Sequence, residues 1–121
     1  MTDWAGFLAL ATRLADEDGE ADLRSAVSRA YYSAYNDARR YVRNKDAMFS
    51  GKDDQHWKVW DWFAAEPGQA FQVATLGQAL RSTRNKADYS VYNTMPNLKY
   101  EARTAIQKAT KILSLLEALR R

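Results

Sequence analysis

The longest regular pattern in the chain is the segment EADLRSAVSRAYYSAYNDARRYVRN, residues 20–44. Its apolar residues recur every three or four positions, as they do on one face of an α-helix. Every fourth residue in the middle of the segment is an alanine, at Ala26, Ala30, Ala34 and Ala38. Such a row of small side chains forms a smooth ridge against which another helix can pack closely. The segment therefore predicts a long central helix.

The same periodicity predicts four further helices. They run from Asp3 to near Gly19, from Asp53 or Asp54 to Pro67, from Gln69 to Lys86, and from Leu98 to Leu119. An aspartate at a helix start can accept hydrogen bonds from free backbone N–H groups. No segment alternates with the period of a strand, and no hairpin signal is present. We expect an all-α bundle of four to five helices that forms one domain over residues 1–121.

The composition excludes several classes of protein. With 46% hydrophobic residues and two prolines in 121 residues, the chain is unlike disordered proteins. It has no cysteine, which excludes disulfide frameworks and zinc ribbons and favours a reducing compartment. No stretch approaches the ~20 apolar residues of a membrane span, and the N-terminus lacks the basic start of a signal peptide. We therefore expect a cytoplasmic protein that does not enter a membrane.

The net charge of +3 hides an uneven distribution. Residues 1–22 contain six acidic residues and one basic residue, which leaves 17 basic and 9 acidic residues beyond them, a charge of +8. A basic body can attract phosphate groups, although lysine and arginine also cover ordinary helix surfaces. Charge alone leaves both interpretations open.

Most catalytic motifs are absent. There is no glycine-rich phosphate loop, and His56 is the only histidine, so a metal site built on several imidazoles is excluded. We expect no metal and no cofactor, with Asp53 and Asp54 capping a helix. Beside Trp57 and Trp60, the imidazole of His56 is expected to be packed or hydrogen-bonded. At helical spacing, the aromatic residues are expected in the core more often than on bases of nucleic acid.

A polar stripe occupies the end of the fourth predicted helix. If the helix continues, Arg81, Arg84, Asn85 and Asp88 lie on one face, because they occupy positions i, i+3, i+4 and i+7. The planar guanidinium of arginine can donate two hydrogen bonds to one phosphate. In the alternative interpretation, Arg84 and Asp88 form a surface ion pair worth only about 0.3 to 0.5 kcal/mol.

Three segments, in the same order, resemble the small HEPN-domain proteins of bacteria and archaea. They are SRAYYSAY (residues 28–35), HWKVWDWF (residues 56–63) and LRSTRNKADY (residues 80–89). The last is similar to the family pattern Leu-Arg-x-x-Arg-x-x-Ala-Asp-Tyr. The three segments lie in the central half of the chain, between residues 28 and 89.

The resemblance implies a helical bundle that is usually dimeric, and many family members are metal-independent RNases. Their motif is an arginine, often followed by a polar residue, with a histidine after four to six residues. Arg84 and Asn85 match its start, and Tyr89 stands at the histidine position. A phenol with a pKa near 10 is protonated at neutral pH and cannot replace imidazole as a general base, although it can donate a hydrogen bond to phosphate.

Three hypotheses follow from the resemblance and the residues. The first is a regulatory or RNA- or nucleotide-binding module, a homodimer that works with a minimal nucleotidyltransferase in a toxin–antitoxin-like or defence system. Its phosphate contacts would come from Arg81, Arg84 and Lys86. The second is a divergent RNase in which Arg84 stabilises the scissile phosphate while Asn85, Asp88 and Tyr89 orient the 2'-hydroxyl. The third is a plain helical dimerisation domain.

Overall fold

The computed structural model describes residues 4–49, 55–89 and 97–121. Five α-helices account for most of these residues, and no β-strand occurs among them. The helices are α1 (Trp4–Ala15), α2 (Glu20–Lys45), α3 (His56–Ala64), α4 (Gln69–Tyr89) and α5 (Leu98–Arg120). The predicted all-α class is confirmed.

Helix α2 lies at the centre and contacts each of the other four helices. The four alanines of its predicted ridge are fully buried, as close helix packing requires. Helix α3 packs against α2 and α4, which brings the aromatic side chains of α3 into the core. The largest fully buried side chains of the described residues are Trp60, Tyr31, Phe63, Leu80, Ile112 and Leu116.

A glycine permits the close approach of α3 and α4. A Cβ atom at Gly77 would overlap three carbon atoms of the Trp60 indole ring, so only a residue without a side chain fits there. The indole is fully buried, so a Cβ atom here could be accommodated only if the ring or one of the two helices shifted. Gly77 thereby determines how closely the face of α3 that carries Trp60 approaches α4.

Three of the predicted helix ends were wrong. Helix α3 ends at Ala64, three residues before Pro67, and the N–H of Glu66 bonds to the carbonyl of Phe63, three residues back. Helix α1 ends at Ala15, because the N–H groups of the next two residues bond to carbonyls three residues back and tighten the final turn. Gly19 has an extended conformation and directly precedes α2. Helix α4 continues three residues past the predicted end at Lys86. The Arg24 side chain of α2 donates hydrogen bonds to the carbonyls of Lys86 and Ala87, which satisfies backbone acceptors at this helix end. The predicted cap at Asp3 lies outside the described residues. Asp53 and Asp54 lie outside them too, but α3 begins at His56 with Gln55 at its N-cap position, so the prediction that Asp53 or Asp54 starts this helix was wrong.

Charged side chains connect the last turn of α5 to the central helix α2. Arg120 of α5 donates to both carboxylate oxygens of Asp37 on α2, at 2.9 and 3.1 Å, and Arg40 donates to the same carboxylate at 2.7 Å. This network ties the C-terminal turn of α5 to the central helix.

Within the described residues, no helix has the length and apolar character that a membrane crossing requires.

Candidate functional site

Arg84 is buried against two tyrosine rings. Its side chain lies on α4, the residue is only 7% exposed, and its guanidinium carbon lies 5.1 Å from the ring centroids of both Tyr31 and Tyr32 on α2. Its Nη1 donates to Asp88 Oδ2 over 3.5 Å, at the outer limit of a hydrogen bond. Its buried Nε has no hydrogen-bond partner among the described residues.

These contacts differ from the surface ion pair considered for Arg84 and Asp88. The two side chains do pair, but the guanidinium is buried and also lies over the rings of Tyr31 and Tyr32. A cation over a desolvated aromatic ring gains about 2 kcal/mol, and each buried donor without a partner costs about 1 to 3 kcal/mol. The arginine is therefore held in place by the rings while part of its hydrogen-bonding capacity stays unused.

A chain of hydrogen bonds lies beneath Arg84. The Tyr31 hydroxyl and His56 Nδ1 are 2.9 Å apart, Trp60 Nε1 donates to the Tyr31 hydroxyl over 3.3 Å, and the His56 ring stacks on Tyr35 with 3.9 Å between centroids. Burial raises the pKa of the Tyr31 phenol well above its usual value, although the Trp60 hydrogen bond and the Arg84 charge oppose this shift. Tyr31 therefore keeps its proton at neutral pH. The expectation that His56 is packed and hydrogen-bonded is confirmed.

A cavity of about 270 Å³ opens between α3 and α4 beside this network. It is lined by Trp57, Trp60, Gln78, Arg81, Ser82 and Asn85. Trp57 is 47% exposed, in contrast to the fully buried Trp60 one turn further along α3. Trp60 and Phe63 of α3 lie in the core as expected, whereas Trp57 is exposed, as are Phe7, Phe71 and Tyr100 on other helices.

The structure divides the predicted polar stripe of α4 into two parts. Arg81 and Asn85 line the cavity beside α3, whereas Arg84 and Asp88 lie toward the tyrosines of α2. Trp60 connects the two parts, because it lines the cavity and also bonds to the Tyr31 hydroxyl.

The other predicted site residues contribute less. Lys86 is exposed, and its backbone carbonyl accepts a hydrogen bond from Arg24. Tyr89 is the last residue of α4, and its side chain lies outside the described part of the structure. Tyr31, Tyr32 and Trp57 are not among the predicted site residues. The signal for the two tyrosines in the sequence is their adjacent position in the segment SRAYYSAY.

No group of three or more histidine or acidic side chains that could hold a metal ion occurs among the described residues. Comparison of the chain with known protein families, curated proteins and solved structures found no significant match. The geometry of the site and the three segments that resemble HEPN-domain proteins are therefore the basis for a functional proposal.

Proposed function

We propose that this protein is a HEPN-like module that binds RNA or a nucleotide without cleaving it. In this proposal it acts as a homodimer with a minimal nucleotidyltransferase, in a toxin–antitoxin-like or defence system. The family and its partner are proposed from the segments SRAYYSAY, HWKVWDWF and LRSTRNKADY. The binding role is proposed from the contacts of Arg84.

The arrangement of Arg84 supports an anion-binding role. The rings of Tyr31 and Tyr32 fix the guanidinium, so little side-chain entropy remains to be lost when it binds a ligand. Its weak pairing with Asp88 and its unpaired Nε leave it short of acceptors. The oxygen atoms of a phosphate supply such acceptors in the geometry that a guanidinium prefers.

The position of the chain's single histidine supports binding over cleavage. A general base must come within hydrogen-bond reach of the proton that it removes. His56 bonds to Tyr31 through Nδ1 and its ring stacks on Tyr35, so its imidazole is already engaged in contacts within the core. At the position where the family motif has histidine, the chain has Tyr89.

Fluorescence anisotropy with labelled single-stranded RNA tests the binding role. Arg84→Ala should weaken binding about 5- to 150-fold and lower the salt dependence, since one phosphate contact is lost. The affinity of Arg84→Lys should lie between those of the wild-type protein and Arg84→Ala, because lysine keeps the charge but cannot donate two hydrogen bonds from a planar group. The exposed Arg103 of α5 provides a matched control, Arg103→Ala, and circular dichroism should show that each variant is folded. Equal effects of Arg84→Ala and Arg103→Ala would remove Arg84 from the site.

An RNA cleavage assay tests the absence of a general base. The wild-type protein should leave RNA intact, and its overexpression alone should not arrest growth. Tyr89→His should introduce cleavage that EDTA does not inhibit, whereas Tyr89→Phe should not. Cleavage by the wild-type protein in EDTA would favour the divergent RNase instead.

Co-expression with a minimal nucleotidyltransferase encoded beside this chain should yield a complex.

A further inference from the structure

We infer that the cavity between α3 and α4 receives one nucleobase of a single-stranded RNA, stacked on Trp57 and contacted at its edge by side chains of α4. The inference rests on the proposed RNA-binding function. It assigns a base-binding role to residues that are separate from the Arg84 contact.

Trp57 supplies an exposed aromatic face at the cavity. The buried face of α3 is formed by His56, Val59, Trp60 and Phe63, and Trp57 projects away from it. About half of the Trp57 residue is exposed to solvent, and Lys58 Nζ lies over the ring, 5.7 Å from its centroid. Bases of single-stranded nucleic acid stack on such exposed rings, and the gain depends little on which base is present.

The opposite wall of the cavity is polar, and none of the described residues that line it is acidic. Gln78, Arg81, Ser82 and Asn85 occupy successive turns on one face of α4. Each amide offers both donors and acceptors, which match the mixed donor and acceptor edge of a base. The Arg81 charge favours a ligand that carries phosphate and disfavours a cationic side chain from a protein partner.

The size of the cavity limits the ligand. Its volume of about 270 Å³ lies just below the range of about 300 to 1,000 Å³ for sites that enclose drug-sized molecules. A single planar base fits this space better than a whole dinucleotide. The phosphates that flank such a base would remain outside, where Arg81 and the exposed Lys86 lie on the same helix.

Binding of intact and abasic RNA separates stacking from phosphate contacts. A short RNA should bind more tightly than the same RNA in which each base has been removed and the backbone kept. Trp57→Ala should weaken binding of intact RNA about 5- to 150-fold and leave abasic RNA nearly unchanged. Trp57→Phe should retain much of the affinity, because a phenyl ring still stacks. Asn85→Ala should alter the preference among homopolymers of A, C, G and U.

Phe71 provides a matched control, since it is an exposed aromatic residue of α4 that does not line the cavity. Phe71→Ala should leave both affinities unchanged. If RNA binds in an Arg84-dependent manner but Trp57→Ala weakens intact and abasic RNA equally, the base site is refuted and the proposed RNA binding stands. If the wild-type protein binds none of these RNAs, the base site and the proposed RNA binding are refuted together, and only the nucleotide-binding form of the proposed function stands. If Trp57→Ala binds intact RNA as tightly as the wild-type protein does, the inference is also overturned.

Discussion

Replacing Gly77 with alanine adds one methyl group where α4 faces the indole ring of Trp60. In an exposed helix this change is favourable, because alanine has a higher helix propensity than glycine by about 0.5 to 1 kcal/mol. At Gly77, however, the new Cβ would overlap three ring atoms of Trp60, and the ring is fully buried. The two effects have opposite signs, and their sizes decide the outcome.

Overpacking of a rigid core costs about 1 to 3 kcal/mol, and more when the neighbouring group cannot move. The overlap at Gly77 involves the body of an indole, so we expect the upper part of this range. After subtraction of the propensity gain, Gly77→Ala should lower the free energy of unfolding by about 1 to 2 kcal/mol. For a chain of this size, the melting temperature should fall by about 4 °C per kcal/mol.

Gly6 provides the matched control. It also lies within a helix, α1, and a Cβ there would meet nothing within 4 Å. Gly6→Ala should therefore stabilise the protein by about 0.5 to 1 kcal/mol through propensity alone. The same substitution is thus expected to have opposite effects at the two positions.

Urea denaturation followed by far-UV circular dichroism measures both changes. The slope of free energy against urea should stay constant if the unfolding transition remains two-state. Gly77→Ala should also weaken binding at the cavity, which Trp60 lines. If Gly77→Ala is as stable as the wild-type protein or more stable, the close packing of α3 on α4 through Trp60 is refuted.

Two further predictions concern the buried network and the oligomer. Tyr31→Phe removes the hydroxyl that bonds to His56 and Trp60, and should cost about 1 to 3 kcal/mol at pH 7 in urea denaturation. Because the folded-state pKa of Tyr31 is raised, the phenol's contribution to the free energy of unfolding is present below pH ~10 and is lost as the pH rises further. The loss of stability at alkaline pH should therefore be smaller in Tyr31→Phe than in the wild-type protein. Equal losses would contradict this. Light scattering at micromolar concentration should report twice the 13.8 kDa chain mass, and a monomer mass would exclude the proposed homodimer.

The helices themselves could be predicted from local patterns. The spacing of apolar residues and the alanine row were sufficient for α2, and the start of α5 at Leu98 was predicted correctly. The end of α4 could not be predicted, since its last carbonyls are satisfied by Arg24, more than sixty residues away in sequence. A boundary that depends on a distant side chain leaves no signal in the residues beside it.

The candidate site shows the same division. The sequence placed Arg81, Arg84, Asn85 and Asp88 on one helix face, because helix geometry is determined by residues within one or two turns. It did not indicate that Arg84 would be buried between two tyrosines, or that Arg81 and Asn85 would face a cavity with an exposed tryptophan. Those outcomes depend on how α2, α3 and α4 are rotated against one another.

By itself, the sequence determined the all-α class, the approximate helices and the absence of disulfides, because each depends on composition or on spacing within a single segment. Only the tertiary structure decided which polar residues are buried and which line the cavity. The physical reason is that the rotation and separation of packed helices are set by side-chain volumes at their contacts, such as the missing side chain at Gly77 against the Trp60 ring.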